Sequence, residues 1–299
     1  MTFVYIWAKF CGKMLKEFSK NMSLLIKFRA DMVVALTSVF GLALGFRGFP
    51  PLNMSIALFV GGFLTTATAH ILNQIYERKY DRLMSRTCQR PLASGRWQTK
   101  TALIFAGCFS VLGLGLLYVG VGKTSAFISL VSLLIYAFVY TPLKQKTRWA
   151  IPIGAIPGAL PVLIGYVGAT GKPDIFILLV FLLQFFWQLP HFWSIAWLWN
   201  DEYCKGGYDL LPTAGGRTQK NAWIIFISIF VLLPVIQLMY ATRLTGPTAF
   251  WVMLAVNLWF GYRGWQFRNR PDSTNALKLM HASIFYLPLI LFILFIDKL

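Results

Sequence analysis

Asn73, Glu77 and Asp81 stand four residues apart, where a run of apolar residues meets a basic segment. On an α-helix of about 3.6 residues per turn, this spacing rotates each side chain only about 40° from the one before, so all three share one face. Ionisable groups at the edge of a membrane helix are costly enough to indicate function. The alternative is that the carboxylates form ordinary salt bridges with cations of the same helix, because pairs at this spacing are common. These cations are Arg78, Lys79 and Arg82.

The acidic residues are concentrated in two segments. Glu77 and Asp81 belong to the first, and Asp201, Glu202 and Asp209 to the second, so the two segments hold five of the ten acidic side chains. Cations that can bind phosphate occur nearby, namely Arg78, Arg82, Arg86, Arg90 and, from a third segment, Lys144. Magnesium binds one or two carboxylates and completes its shell with water and phosphate oxygens. The combination predicts a pyrophosphate site, in which a metal acts as a Lewis acid and arginines stabilise the leaving group.

The composition predicts a membrane protein. Hydrophobic residues make up 57% of the 299 residues, charged residues make up 13%, and the mean hydropathy is +0.63. A soluble domain rarely has this composition. Nine apolar segments are long enough to span a bilayer with some tilt. They cover residues 28–47, 54–76, 101–121, 124–142, 149–169, 174–199, 221–242, 247–264 and 279–297. The predicted fold class is therefore an all-α, polytopic membrane protein with nine transmembrane helices.

The distribution of basic residues predicts the orientation of these helices. The net charge of +18 does not indicate a nucleic-acid partner, because the cations are spread over loops rather than gathered in one patch. With a cytoplasmic N-terminus, 23 of the 28 lysines and arginines fall in cytoplasmic segments. This asymmetry follows the positive-inside rule and predicts an outside C-terminus, with both acidic segments on the cytoplasmic side. No secretory or transit-peptide pattern is evident, which favours a bacterial-type cytoplasmic (inner) membrane.

Residues 1–27 predict a basic amphipathic helix at the membrane surface. Apolar and aromatic side chains are mixed with lysines there, which is typical of interfacial helices. The apolar residues include Phe3, Trp7, Phe10, Leu15 and Phe18, and the lysines are Lys9, Lys13, Lys16 and Lys20. We therefore predict two units, a surface segment of residues 1–27 and a nine-helix domain of residues 28–299.

Four stretches of the sequence resemble a known family. The run from Asn73 to Leu92 reads Asn-x3-Glu-x3-Asp and then Met-x-Arg-Thr-x2-Arg-Pro-Leu. It resembles the first aspartate-rich motif of the UbiA superfamily of intramembrane prenyltransferases, and its ending is similar to the haem-farnesylating branch of that family. Three further stretches agree in order: Tyr-Thr-Pro-Leu-Lys at 140–144, Ile-Gly-Ala-Ile-Pro-Gly-Ala-Leu-Pro at 153–161, and Trp-Gln-Leu-Pro-His-Phe-Trp at 187–193 with Glu-Tyr at 202–203 and Leu-Leu-Pro at 210–212. The resemblance covers about residues 28–297.

The resemblance implies a prenyltransferase whose helices surround a central cavity. The implied substrates are farnesyl diphosphate and haem B, and the implied cofactor is Mg²⁺. The farnesyl group is expected to move to the 2-vinyl group of haem, with addition of water, to give haem O for terminal oxidase biogenesis. Expected partners are the lipid bilayer and a downstream haem-modifying enzyme or oxidase assembly protein.

The family pattern also implies roles for particular residues. The catalytic residues are Asn73, Glu77, Asp81, Arg86 and Arg90. The metal ligands are Asn73, Glu77, Asp81, Asp201 and Glu202. The diphosphate-binding residues are Arg86, Arg90, Lys144 and Tyr140.

One of the three histidines has an expected role in binding haem. His191 follows Pro190 among aromatic residues, two or three turns before the second acidic segment. A neutral imidazole is a suitable axial ligand for haem iron. The resemblance favours this role over that of a helix histidine that is simply hydrogen-bonded. His70 shares the face of Asn73 and is a candidate to contact the metal ligands, whereas His281 is expected to be structural or lipid-facing.

The sequence departs from the family pattern at two places. The first motif has Glu77 where the family usually has aspartate, so this ligand reaches one methylene farther. The second motif lacks Asp-x3-Asp, because Asp201 and Glu202 are adjacent, and Asp209 stands where the haem branch usually has proline.

Three alternatives to haem farnesylation remain open at this stage. The nearest is another prenyltransferase of the family, with an aromatic acid, a quinone precursor or a chlorin as acceptor. A membrane transporter is an alternative from another class, but it favours polar groups near the bilayer midplane. A haem-handling protein has little use for the first acidic motif.

Overall fold

The computed structural model describes residues 2–298, with side chains from residue 12 onward. The described chain is entirely helical and contains no β-strand. Its α-helices are α1 Thr2–Ile26, α2 Phe28–Phe46, α3 Leu52–Asp81, α4 Thr99–Gly120, α5 Lys123–Leu134, α6 Thr141–Leu143, α7 Ala150–Thr170, α8 Ile175–Leu198, α9 Asn200–Lys205, α10 Gln219–Phe230, α11 Leu232–Ala241, α12 Pro247–Asn269 and α13 Ser273–Lys298. A π-helical turn, Ile135–Tyr140, joins α5 directly to α6. The predicted all-α fold class is confirmed.

Eight stretches within residues 2–298 are long and apolar enough to cross a membrane, judged by length and composition. They match the predicted segments within a few residues, except for the eighth, and they confirm a multi-pass membrane protein. The eighth predicted segment does form a helix, α12. This helix is not among the eight apolar stretches, and its sequence includes the polar residues Asn257 and Arg263. The count of nine transmembrane helices and the orientation of the termini stay predictions.

Helix α3 carries the whole of the first motif. It has 30 residues, and at about 1.5 Å per residue it is roughly 45 Å long, which exceeds the roughly 30 Å hydrocarbon core of a bilayer. The predicted apolar stretch ends at residue 76, but the helix continues through the charged residues that follow and ends at Asp81. Within the apolar part, the hydroxyls of Thr66 and Thr68 donate to carbonyls one turn earlier, at 2.8 and 2.9 Å. This satisfies polar groups where no water is present.

Glycines let α2 and α7 pack backbone against backbone. Gly41 on α2 faces the carbonyl of Val162, and Gly165 on α7 faces the carbonyl of Ser38. A β-carbon at either glycine would overlap these atoms. Small residues permit this close approach between membrane helices. The glycine-rich stretch of α7 therefore serves helix packing.

The predicted N-terminal helix is present as α1, and its end contacts α3. Gln74 donates from Nε2 to the carbonyls of Leu24 and Leu25, at 2.8 Å in each case. Lys27 has a left-handed backbone conformation, with φ of 54°, and turns the chain from α1 into α2. The side chains of Phe3, Trp7, Lys9 and Phe10 lie outside the described residues. The surface position of residues 1–27 stays a prediction.

We expect Gly165→Ala to destabilise the protein, because the added methyl group would overlap the Ser38 carbonyl and push α2 away from α7. Overpacking typically costs about 1–3 kcal/mol, and a backbone atom has no rotamer by which to yield, so the upper end is expected. The unfolding temperature of the detergent-solubilised protein measures this change. Gly115→Ala on α4 is the matched control, since nothing lies within 4 Å of its added carbon. Equal unfolding temperatures for the two variants would contradict the close α2–α7 contact.

Candidate active site

Two buried carboxylates of α3 are each paired with a cation from another segment. The exposed fractions of Glu77 and Asp81 are 3% and 1%. Lys144 donates from Nζ to Oε1 of Glu77 at 2.8 Å. Arg90 donates from Nη1 to both carboxylate oxygens of Asp81, at 2.9 and 2.8 Å. Burial alone would lower the pKa of Lys144, but the Glu77 carboxylate and nearby tyrosines together hold this pKa well above its usual range. Lys144 therefore stays charged at neutral pH.

Asn73 completes the polar face of α3, and it is contacted by a lysine that the sequence analysis did not predict. Asn73 is fully buried. Its Oδ1 accepts from Nζ of Lys27 at 3.2 Å, and its Nδ2 donates to the hydroxyl of Thr141 at 3.1 Å. Burial and the positive charges of Arg90 and Lys144 lower the pKa of Lys27 to about 7. Three cations thus converge on one amide and two carboxylates, which gives the face a net positive charge when Lys27 is protonated.

The cations of α3 itself point away from this face. Arg78 donates to the hydroxyl of Thr99 at 2.6 Å, and Arg82 donates to the carbonyl of Ala93 at 2.7 Å. The alternative of ordinary salt bridges within α3 is therefore wrong, since the ion pairs of this face come from other segments. Arg78 and Arg82, although considered as phosphate-binding residues from the sequence, contact the surrounding loop and α4.

The π-helical turn between α5 and α6 positions the groups around Lys144. The hydroxyl of Thr141 donates to the carbonyl of Tyr136, five residues earlier, at 2.8 Å. The ring of Tyr140 lies against Gly154 on α7, where a β-carbon would come within 2.5 Å of a ring atom. The Lys144 ammonium lies 5.2 Å from the centroid of the Tyr140 ring. Single π-helical turns occur frequently at functional sites, and this one brings the predicted residues Tyr140 and Lys144 together.

Of the two adjacent carboxylates in the second segment, Glu202 contacts the loop after α3. Its Oε2 accepts from the backbone N–H of Ser85 at 2.5 Å and from its hydroxyl at 2.8 Å, while Oε1 accepts from Lys205 at 2.7 Å. Hydrogen bonds from Lys205 and Ser85 lower the pKa of Glu202 to about 2, so it is ionised at neutral pH. Asp201 is 73% exposed and pairs with Arg217 at 3.0 Å. The structure therefore links Glu202, and not Asp201, to the first segment.

Arg86 joins the same two segments through aromatic side chains. Its guanidinium carbon lies 5.5 Å from the ring centroids of Trp199 and Tyr203. Its Nη2 donates to the Tyr203 hydroxyl at 3.2 Å. The two arginines predicted to bind diphosphate thus have different surroundings, because Arg90 contacts the buried face of α3 and Arg86 lies at the contact between the loops.

His191 lies on α8 among aromatic rings, as the sequence predicts. Its ring stacks on that of Trp187, with a centroid distance of 5.1 Å and an angle of 15°, and Phe192 packs edge-on at 5.2 Å. Its Nδ1 is hydrogen-bonded to the hydroxyl of Ser283 on α13 at 2.7 Å. No hydrogen bond to its Nε2 is present within the described part of the chain, and the side chain is only partly buried. The ring therefore has one hydrogen-bonded nitrogen and one nitrogen without a partner among the described residues.

His70 is bonded to an acidic residue rather than to the first motif. Its Nδ1 lies 2.5 Å from Oδ1 of Asp31 on α2, and the side chain of Asp31 is fully buried. This hydrogen-bonded pair connects α2 to α3 about one turn before Asn73. Among the described residues, no side-chain hydrogen bond joins His70 to Asn73, Glu77 or Asp81.

The donor atoms on α3 fit a magnesium ion by their chemistry. Asn73, Glu77 and Asp81 supply an amide oxygen and two carboxylates on one buried face, and Mg²⁺ prefers such oxygen ligands together with substrate phosphates. Among the described residues, no group of three His, Cys, Asp or Glu side chains could hold a metal ion by itself. Water and the phosphate oxygens of a substrate would complete the coordination of a magnesium ion bound to this face. Asp209 is not part of this face, since it forms an exposed ion pair with Arg148 at 2.5 Å.

Comparisons with a family model and with individual proteins both indicate a prenyltransferase. Residues 34–291 match the UbiA prenyltransferase family. The chain is 39% identical over 274 residues to the protoheme IX farnesyltransferase of Cytophaga hutchinsonii, which covers 92% of this chain and 96% of that protein. It is 38% identical to the enzyme of the same name from Flavobacterium johnsoniae, over 89% of this chain and 90% of that protein.

Solved structures share the fold. The structure of digeranylgeranylglyceryl phosphate synthase in membranes superimposes with a TM-score of 0.77, at 17% identity, over 94% of this chain and 99% of that one. A UbiA homologue from Archaeoglobus fulgidus bound to GPP and Mg²⁺ gives a TM-score of 0.64, at 13% identity, over 92% and 99% of the two chains. The fold is thus that of the membrane-embedded prenyltransferases. The chain belongs to the UbiA prenyltransferase family, and it is an enzyme of that class.

We expect Glu202→Gln to loosen the contact between the loop after α3 and α9. The amide loses the charge-assisted hydrogen bonds from Ser85 and Lys205, which are roughly twice as strong as neutral ones. Limited proteolysis with trypsin should cleave within residues 82–100 several-fold faster than in the unmodified protein. Asp201→Asn is the control, because this neighbouring carboxylate has no contact with that loop. Equal protection in the two variants would show that Glu202 does not hold the loop in place.

Proposed function

We propose that this enzyme transfers a farnesyl group from farnesyl diphosphate to haem B, with addition of water, and thus has haem O synthase activity. The observation that carries the proposal is the convergence of Lys27, Arg90 and Lys144 on the amide and carboxylates of α3. A polyanionic diphosphate together with a divalent cation complements this set of charges. The full-length relatives named protoheme IX farnesyltransferase support haem as the acceptor.

The diphosphate of the donor is expected to bind at the polar face of α3. Arg90 and Lys144 neutralise its charge, and charge-assisted hydrogen bonds to phosphate are among the strongest that side chains make. Tyr140 carries the Lys144 ammonium over its ring, and Arg86 adds a further cation from the loop contact. The ion pairs with Glu77 and Asp81 hold the two principal cations next to the position where charge develops on the leaving group.

Asn73, Glu77 and Asp81 are the residues that we expect to hold Mg²⁺, with Glu202 as the candidate for a second ion. When bound, magnesium polarises the diphosphate oxygens and makes diphosphate a better leaving group. The UbiA homologue bound to GPP and Mg²⁺ supports a metal-dependent donor site in this fold. We do not include Asp201, because its carboxylate is directed to Arg217.

The acceptor is expected to lie deeper in the bundle, with its iron at His191 and its porphyrin in an apolar central cavity. Departure of diphosphate leaves an allylic cation at C1 of the farnesyl group. The 2-vinyl group of haem attacks this carbon and forms the new carbon–carbon bond. Water then adds to the cation beside the porphyrin ring and releases one proton. The apolar surroundings exclude water before the carbon–carbon bond forms.

The location of the reaction is also a proposal. The excess of basic residues in the loops that carry the site supports a position on the cytoplasmic side of a bacterial-type inner membrane, by the positive-inside rule. The product is an apolar haem that stays in the bilayer. We therefore expect a haem-modifying enzyme or an oxidase assembly protein to receive it there.

The test is a transfer assay with the detergent-solubilised protein, haem B, farnesyl diphosphate and Mg²⁺, followed by mass spectrometry of the extracted haem. We expect a haem heavier by one farnesyl group and one water, and no product when a chelator is present. Asp81→Asn keeps the shape of the side chain but removes its charge, so we expect a rate loss of about 100-fold or more. Prenylation of an aromatic acid or chlorin with haem unchanged would refute the acceptor. No transfer to any acceptor would refute the whole proposal.

We expect Lys27→Met to raise the KM for farnesyl diphosphate, because it removes one of the three cations at the α3 face. A hydrogen bond to a charged group contributes about 1.5–3 kcal/mol, which corresponds to roughly 10-fold or more. Steady-state kinetics at fixed haem measures the change. Lys20→Met is the control, since Lys20 is an exposed lysine of α1. The same KM in both variants would exclude Lys27 from the donor site.

A further inference from the structure

Ser283 on α13 contacts both of the aromatic side chains that line the proposed haem site on α8. The side chain of Ser283 is fully buried. Its hydroxyl oxygen lies 2.7 Å from Nδ1 of His191. Its backbone carbonyl accepts a hydrogen bond from Nε1 of Trp187 at 2.8 Å. A single residue of α13 therefore holds two stacked rings of α8.

A third contact of Ser283 determines where the hydrogens lie. The hydroxyl oxygen is 2.6 Å from the carbonyl oxygen of Met280, one turn earlier in α13. A carbonyl can only accept a hydrogen bond, and a serine hydroxyl has one hydrogen to donate. Both contacts are hydrogen bonds only if Ser283 donates to Met280 and accepts from Nδ1–H of His191. In the neutral imidazole, this places the hydrogen on Nδ1 and the lone pair on Nε2.

We propose that Ser283 is a positioning residue that presets His191 to bind haem iron through Nε2. The proposal rests on the function proposed above, because haem is the ligand that this tautomer serves. A histidine that binds a metal must offer a lone pair, and the hydrogen bond at its other nitrogen fixes the tautomer and strengthens the ligand. Nε2 is the nitrogen that has no hydrogen-bond partner among the described residues, and it belongs to a side chain that is only partly buried.

Trp187 adds a second restraint on the same ring. Its indole stacks on the imidazole with an angle of 15° between the planes, and its own N–H is held by Ser283. Rotation of the imidazole about its χ2 angle would break the bond to Ser283 and the stacking together. Ser283 and Trp187 therefore fix both which nitrogen is free and where it points.

The test is the iron–histidine stretching band in the resonance Raman spectrum of ferrous haem B bound to the purified protein. The frequency of this band falls when the hydrogen bond at Nδ1 is lost, so it reports on the imidazole and not on folding. We expect Ser283→Ala to lower the frequency and to weaken haem binding about 10- to 100-fold. Ser228→Ala on α10 is the matched control, because Ser228 is buried and donates to the carbonyl of Ile225 at 2.7 Å in the same intrahelical way.

Two further variants make the outcomes distinguishable. If His191→Ala abolishes the band and Ser283→Ala leaves frequency and affinity as in Ser228→Ala, the role of Ser283 is refuted and the haem site stands. If His191→Ala leaves the band unchanged, His191 is not the ligand and the inference is overturned, whereas haem as the acceptor is tested separately by the transfer assay. If Ser283→Ala does not fold, Ser283→Cys replaces it, since its sulfur is similar in size and a weaker acceptor. A smaller downward shift then supports the proposal, and an unchanged band overturns it.

Discussion

The buried carboxylates of α3 are neutralised by cations that lie outside this helix, and this pairing determines how several other parts of the chain pack. Two carboxylates with exposed fractions of 3% and 1% could not remain ionised without partners, and removing one partner of a buried pair typically costs about 3–5 kcal/mol. Lys144 and Arg90 supply those partners. The end of α6 and the loop after α3 must therefore both dock against α3. These contacts also bring together the cations that we propose to bind diphosphate.

The candidate site residues form a charged group on α3 and an apolar, aromatic group on α8, because they lie at different positions along their helices. The end of α3 extends beyond its apolar stretch and carries the acidic motif, whereas His191 lies within α8 among Trp187 and Phe192. A prenyl diphosphate has the same division, with a charged head on an apolar chain. The backbone packing of α2 against α7 at Gly41 and Gly165 holds the helices close around this arrangement.

The contact between the two acidic segments shows how neighbouring residues of similar chemistry acquire different roles. Asp201 and Glu202 are adjacent, but the turn of α9 directs one to Arg217 and the other to Ser85. Arg86 strengthens the same contact through Tyr203 and Trp199. Glu202 and Arg86 together therefore connect the loop after α3 to α9.

The helical segments, the shared face of Asn73, Glu77 and Asp81, and the resemblance to the prenyltransferase family could be predicted from the sequence alone, because composition and a spacing of four residues are local properties. The cations that contact this face could not be predicted in the same way, because they come from distant parts of the chain. Lys27 and Asn73 are 46 residues apart, Lys144 and Glu77 are 67 apart, and His191 and Ser283 are 92 apart. Periodicity along one helix carries no information on which distant segment packs against it, so these partners, and the choice of Glu202 over Asp201, required the packed bundle.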